Sequence, residues 1–515
     1  MKTNKDFIKP TFKDSEVIFA LVGAVGTDLD WISDILTNRL EVFFDYSVEK
    51  ISISSHILSN YLSKETTLSV LKRNEYKRIS QYMEIGTKLR EKTNNGILAM
   101  AVADLIQQKR VLEEDQNTPP KAITRQAFII KSLKNTEEVS VLRNIYGNGF
   151  YLIGVYESAE DRLDNLCNKR KNISESNAKK LLETDENEEI GHGQQARDTF
   201  QLSDFFVDNS NQKKAEANLY RILDLVFGSP FITPTFGEYA MYMAHCASLR
   251  SADLSRQIGA VVCKNDEILA TGVNDCPAFG GGLYWPIYNK EKNEYEDFTD
   301  GRDYTRGKDT NKAEFVEIVK EIFAKFEISL SKENINKISK TRLGDLTEFG
   351  RVVHAEMEAL LTCARNTISS RDAELYVTTF PCHNCAKHII AAGINKVVYI
   401  EPYPKSKTFE FYKESITTNE GEVNKVLFIP FFGVGPRRFI ELFAMSSNFI
   451  PNKIRKEKNA DNIDEYGRTV KWERSAANLR SQMYFTSYLD RELEYSLYYN
   501  NYISTILNDR GEVVL

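Results

Sequence analysis

Any fold this chain adopts must bring together His354-Ala355-Glu356 and the later run Pro381-Cys382-His383-Asn384-Cys385. One imidazole and two thiols in this pattern are three ligands for zinc. They leave the fourth tetrahedral position open, which is what separates a catalytic zinc site from a structural one. The spacing also dictates local structure. Residues i and i+2 do not share a face of a regular helix, so His354 and Glu356 converge on one centre only if it lies beyond a helix end. EMEALLTCARN supplies the helix that starts there. Cys382 and Cys385 stand at i and i+3, which do share a face, and Pro381 precedes them near a helix start, where proline is tolerated. The partial positive charge and free N–H groups of a helix N-terminus favour thiolates over thiols. Glu356 is not a ligand in this arrangement. It is a carboxylate beside the open position, placed for acid-base work. A closed structural site would need a fourth protein donor, which His383 or His388 would supply.

A chain of 515 residues exceeds one hydrophobic core, so two or more domains are expected. With 42% hydrophobic and 27% charged residues the composition is that of a soluble globular protein. The net charge of −6 argues against a protein that coats nucleic acid. No apolar run reaches the length of a membrane span, and the short stretch Val17–Val25 reads as a buried strand. Seven scattered cysteines, an odd number, do not suggest a disulfide framework and fit a reducing cytoplasm.

The pattern along the chain is α/β. EVIFALVGAVG, SVEKISIS, AFIIKSL and GFYLIGVY read as strands. LDWISDILTNRLEVF, GILAMAVADLIQQKR and NTEEVSVLRNIYG between them have helical spacing, and this alternation implies a parallel sheet. Residues from about Asp161 to Asp198 are charged and lysine-rich and read as exposed helices or a mobile lid. The polar turn Asn209–Gln212 marks the domain boundary, giving domains 1–210 and 211–515. The second domain opens with a helix at Tyr239–Arg250 and two strands, IGAVVCK and EILATGV, joined by Asn265-Asp266. A glycine- and charge-rich insertion at about 286–345 follows, then the helix, strand, helix and strand around the zinc motif. A further strand, VLFIPFF, precedes an extension at about 451–515, aromatic-rich near its end, which reads as a packing arm.

Gly23, Gly26 and Thr27 lie between the first strand and its helix, where a phosphate-cradling loop belongs. The lysine of a full P-loop is absent: Asp28 stands at the second glycine of that pattern and Leu29 at its lysine. The loop therefore reads as a nucleotide-binding regulatory element or a structural relic rather than as a kinase centre.

HAE…PCHNC, preceded by SADLSRQIGAVVCKNDEILATGVND, resembles the core of the deoxycytidylate deaminases over about residues 235–450. The whole chain is similar to a narrower family, the bacterial anti-phage dCTP deaminases, through FALVGAVGTDL, SLKNTEEVSVLRNIYG, GQQARDTFQLSDFFVD, NDCPAFGGGLYWP and PFFGVGPRRF. The resemblance implies an N-terminal nucleotide-kinase-like P-loop domain joined to a cytidine-deaminase-like α/β/α domain. It implies a resident Zn²⁺ and deamination of dCTP and dCMP to deoxyuridine nucleotides, which starves phage DNA synthesis. It further implies a closed homo-oligomer, and activity restrained before infection, in some members by a small RNA. By position, Asn274 corresponds to the sugar-binding asparagine of a G-Y-N motif, with Val273 in place of its tyrosine, and the Ala355 backbone meets the pyrimidine. Arg256, Lys405, Arg437 and Arg438 are candidates for the phosphates, since a triphosphate needs several cationic donors. Two other readings compete. One is a deaminase of single-stranded DNA or RNA, which would need a basic, aromatic-lined channel. The other is a zinc-containing nucleotide sensor without chemistry, which would have no need of Glu356. A second zinc involving His245 or Cys276 is a further expectation.

Overall fold

The computed structural model describes residues 14–61, 74–112, 122–169, 173–187, 195–339, 341–346, 348–401, 406–446, 453–456, 469–481 and 483. The chain forms two compact units, Met1–Ile232 with Ala444–Leu515, and Thr233–Phe443. This division differs from the boundary expected at 210/211. Helix Gln212–Val226 buries Leu219, Ile222, Leu223 and Val226 within the first unit, and Phe227 stacks on Phe44 with centroids 4.1 Å apart. The described part of the C-terminal extension also belongs there: Arg474 grips both oxygens of Asp224 at 2.8 and 2.6 Å, and Arg480 donates its N–H to Val226 O at 2.8 Å. These pairings are non-local, so composition does not reveal them. The aromatic run at 484–502 lies outside the described residues. Among the described residues, no helix is long and apolar enough to cross a membrane.

The first unit is built on a parallel sheet of β1 (Val17–Val22), β2 (Ser47–Ser52), β3 (Gln126–Lys131), β4 (Phe150–Tyr156) and β5 (Phe205–Asp208), in the order β5-β4-β1-β3-β2. The central strands are buried on both faces, which is why they read as continuous apolar runs. Side chains alternate across a strand. Ile18, Ala20, Phe128, Ile130 and Leu152 therefore join Leu98, Val102, Val139 and Leu142 in one core. On the opposite face Phe19 stacks on Tyr151. The charged stretch after β4 folds into helices Ala159–Asp164, Glu175–Asn187 and Ala196–Phe200. Helix Glu175–Asn187 contributes Ala178 and Leu181 to a small core with Met83, Leu166 and Ile173.

The second unit has a mixed sheet. β6 (Gly259–Lys264) and β7 (Glu267–Val273) form an antiparallel hairpin. Its turn residues Asn265 and Asp266 have φ of 50° and 60°, as a two-residue primed turn requires. The insertion carries a small hairpin, β8 (Ile287–Asn289) with β9 (Glu294–Glu296), and helices Asp303–Arg306, Thr310–Lys325 and Lys332–Ser339. β10 (Glu374–Thr379) pairs antiparallel with β6 and parallel with β11 (Lys396–Glu401). β12 (Ile416–Thr417) and β13 (Val426–Pro430) complete the order β12-β13-β11-β10-β6-β7. Ala260, Val262, Leu375 and Val377 face helices Ala355–Arg365 and His383–Ala391. Tyr376, on the other face, meets Phe236 of helix Phe236–Ser248 edge-on. The unit is therefore an α/β/α sandwich.

Close packing of helix Ala355–Arg365 on the sheet depends on Gly272. A Cβ there would collide with the backbone at Ala355 O and Ala359 N. Backbone cannot give way as a flexible side chain does, so Gly272→Ala is expected to destabilise the protein by about 1–3 kcal/mol. A thermal melt reads that shift, and a melting temperature equal to wild type would show that the helix can move off the strand without loss.

Candidate active site

Both halves of the motif sit at helix starts. His354 is the N-cap of helix Ala355–Arg365, with φ −69° and ψ 152°, and Cys382 is the N-cap of helix His383–Ala391, with φ −67° and ψ 163°. The extended N-cap conformation turns His354 away from the helix and towards the cysteines, while Glu356, the second helical residue, lies within the first turn. The i, i+2 pair thus converges at a helix end, as the spacing requires.

His354 Nδ1 lies 3.4 Å from Cys382 Sγ and 3.3 Å from Cys385 Sγ, and the three donor atoms are all within 4.8 Å of one another. For zinc–sulfur bonds of about 2.3 Å and zinc–nitrogen bonds of about 2.0–2.1 Å, tetrahedral geometry separates nitrogen and sulfur by about 3.6 Å. The donor set therefore fits zinc both in chemistry and in size. Among the described residues this is the one such cluster. His383 and His388 do not join it, so among the described residues no fourth protein donor closes the site. Nor do the described residues form a second cluster around His245 or Cys276, whose Sγ instead faces Asp303 Oδ1 at 3.8 Å. All seven cysteines are free thiols.

The three donor groups and Glu356 perturb one another strongly. A hydrogen bond from Cys385, together with the imidazole of His354, pulls the Cys382 thiol down to about 4. The hydrogen bond to Cys382 raises His354 to about 9 against the opposing effect of burial. The same sulfur–sulfur contact, with burial, drives Cys385 well up. Glu356 is only 5% exposed, and burial raises its carboxyl, partly offset by His354. It also hydrogen-bonds Cys385. A buried carboxyl lodged against the donors, without a salt bridge, is the arrangement of an acid-base group rather than of a structural ion pair.

A family model described as the cytidine and deoxycytidylate deaminase zinc-binding region matches residues 234–401. The deoxycytidylate deaminase of Enterobacteria phage T2 is 31% identical over 173 residues, 32% of this chain and 80% of the phage protein. That of Enterobacteria phage T4 is 32% identical over 174 residues, 32% of this chain and 78% of its own. A solved dCMP deaminase of cyanophage S-TIM5, in complex with dCMP and dUMP, aligns with 39% of this chain and all of its own at 21% identity, with a TM-score of 0.23. Fold, donor set and relatives together define a zinc-dependent hydrolytic deaminase of nucleotides. The chain belongs to the deoxycytidylate deaminase family.

The remaining sequence candidates are placed unevenly. Ala355 is fully buried at the helix start, its carbonyl on the Gly272 side. The Asn274 amide is engaged within the protein: Oδ1 accepts the Ile258 N–H at 2.7 Å and Nδ2 donates to Arg256 O at 2.8 Å. In this structure it fixes the loop 256–258 rather than offering a free amide. Arg256 is half exposed, with Nη1 2.8 Å from Glu401 Oε1. Arg438 is buried and paired with Glu441 at 2.5 Å, so it is anchored as a structural cation, whereas its neighbour Arg437 is exposed. Lys405 lies outside the described residues.

In the first unit, Gly23, Gly26 and Thr27 line one cleft. Gly26 has φ +91°, and a Cβ there would lie 2.7 Å from Arg162 O, so the turn needs glycine. Asp28 does not face the cleft as an unshielded charge, because its Oδ1 caps helix Leu29–Phe44 by accepting the Trp31 N–H at 2.8 Å. The lysine missing from the loop has a counterpart that sequence reasoning overlooked. Lys134, just beyond β3, donates Nζ to Gly23 O at 2.9 Å. No spacing rule points to it, since it comes from a different crossover of the sheet.

Proposed function

We propose that this protein deaminates dCTP, and also dCMP, to the deoxyuridine nucleotides, and that draining the dCTP pool serves as anti-phage defence in the bacterial cytoplasm. The buried carboxyl of Glu356 against the His354, Cys382 and Cys385 donors carries this reading. Zinc held by those three atoms supplies Lewis acidity that makes water a nucleophile near neutral pH. Glu356 accepts a proton from the attacking water and passes it to N3 of the cytosine. It then carries a proton to the amine leaving C4, so that one water is consumed and one ammonia released. Its burial excludes bulk water from the proton path.

Arg256 and Arg437, both solvent-accessible, are proposed to meet the phosphates, and Asn274 to support the sugar side by holding the loop that bears Arg256. Arg256→Ala and Arg437→Ala are each expected to raise KM for dCTP about tenfold and to leave deoxycytidine kinetics unchanged. Equal effects on both substrates would remove the phosphate role.

The first unit is proposed as a nucleotide-kinase-like module that gates the deaminase, since an unrestrained enzyme would drain its own cell. The parallel pairing of β1 to β5 and the glycine loop after β1 support this. A homo-oligomer and an inhibitory small RNA are proposed on the resemblance alone. Incubating the protein with dCTP, dCMP, CTP, deoxycytidine and a cytosine-containing oligonucleotide, and separating the products, tests the substrate class. Deoxyuridine nucleotides are expected. Uracil found in the oligonucleotide alone would overturn the proposal.

A further inference from the structure

The first unit carries a cleft of about 190 Å³ that the deamination chemistry does not use. It lies beyond β1, between β3 and β4 in the sheet, and open parallel sheets take ligands beyond the carboxyl ends of their strands where the connections diverge. The glycine loop, Arg78, Arg90 and Lys134 form its polar side, and Ile79, Tyr82 and Met83 belong to its apolar wall. Two polar atoms there have no hydrogen-bond partner among the described residues, Thr27 Oγ1 and Arg90 Nη1. Arg90 is 3% exposed; its Nε and Nη2 both bind Glu138 Oε1, at 3.1 and 2.6 Å, and a Cβ placed on cleft-lining Gly86 would meet Nη1 first. A buried guanidinium with a spare donor beside a cavity is expensive unless an acceptor occupies the cavity.

The protein itself supplies an anion at this place. Asp185, on helix Glu175–Asn187 and 6% exposed, accepts the Val25 N–H at Oδ2 (2.7 Å) and pairs with Lys134 Nζ at Oδ1 (3.1 Å). A main-chain N–H of a glycine turn together with a lysine is what a phosphoryl oxygen would engage. We infer that Asp185 is an internal stand-in for a phosphoryl group: the cleft binds a nucleotide through the Val25 N–H, Lys134 and Arg90, and binding expels Asp185 and releases helix Glu175–Asn187. The inference rests on the reading of this unit as a nucleotide-binding module and adds the competitor. Two anions within about 3 Å repel strongly in a half-buried site, so the carboxylate and the phosphate exclude each other. The helix is releasable because it holds on through a small apolar core, Ala178 and Leu181 among Ile173, Leu166 and Met83.

Hydrogen exchange on the full chain tests this with ATP, GTP and dTTP, none of which carries the cytosine amine, and with inorganic phosphate in parallel. The expected result is slower exchange at residues 23–28 and faster exchange at 175–187. Asp185→Asn, which keeps an acceptor but removes the charge, should bind the effective nucleotide about tenfold more tightly, and Lys134→Met should abolish binding. Slower exchange in both segments, or unchanged affinity in Asp185→Asn, would overturn the competition. In that case protection at 23–28 that is lost in Lys134→Met still upholds nucleotide binding. No protection at 23–28 by any probe, in wild type or Asp185→Asn, would sink both. If either variant fails to fold, exchange in the wild type decides.

Discussion

Glu356→Ala will lower nucleotide deamination by about 10²–10⁴-fold while zinc remains bound at the wild-type level. The carboxyl is one residue inside the helix that His354 caps, is almost fully buried, and is not one of the three clustered donor atoms. Removing it therefore takes away the proton carrier without opening the donor set. The effect on stability runs the other way. Burial disfavours the charged carboxylate and the His354 imidazole offsets this only in part, so the folded state gives up solvation to keep it there. Glu356→Ala is expected to melt at or above the wild-type temperature, as replacements of strained functional groups commonly do. Glu356→Gln, of the same shape but unable to carry the proton, should match the alanine variant in rate. Metal analysis, steady-state kinetics and a thermal melt on the same samples check all three. Turnover within about tenfold of wild type in either variant would remove Glu356 from the mechanism.

Cys385→Ser will abolish activity by a different route, through loss of the metal. Cys385 is fully buried on the first turn of its helix, and its Sγ is 3.3 Å from His354 Nδ1. Serine keeps the size but is a poor zinc donor, so affinity is expected to fall by at least about 100-fold, beyond what loss of an outer-shell partner brings. Metal content after dialysis should drop to a small fraction and turnover with it. The variant should also melt lower, because Cys385 lies in the apolar core with Val377 and Ile389, where a hydroxyl needs a partner. The pairing of the two results is diagnostic. Glu356→Ala loses rate but keeps metal and stability, whereas Cys385→Ser loses all three. A Cys385→Ser protein that retained full zinc would show that the three donors do not form the site.

The legible part of this molecule is local. His354 and Glu356 at i, i+2 demanded a helix end, and the helix begins at Ala355. Cys382 and Cys385 at i, i+3 demanded a helix face after Pro381, and the helix begins at His383. Asn265-Asp266 announced the tight hairpin of β6 and β7, and the unbroken apolar runs of β1, β3 and β4 announced a parallel sheet buried on both faces. In each case backbone geometry over a few residues leaves one outcome.

By itself, then, the sequence determined which residue types meet at the metal site, on what local frame, and hence the reaction class. The tertiary structure decided what each polar group does with its hydrogen bonds. Asn274 turns its amide onto the backbone at 256 and 258, Arg438 is bound to Glu441, and the carboxylate of Asp185 sits at the glycine loop beside Lys134 from another crossover. It also decided where the units divide, because Arg474 reaches back to Asp224 across 250 positions of sequence. Such contacts follow from strand order and packing, which bring distant residues together without leaving a periodic trace in the chain.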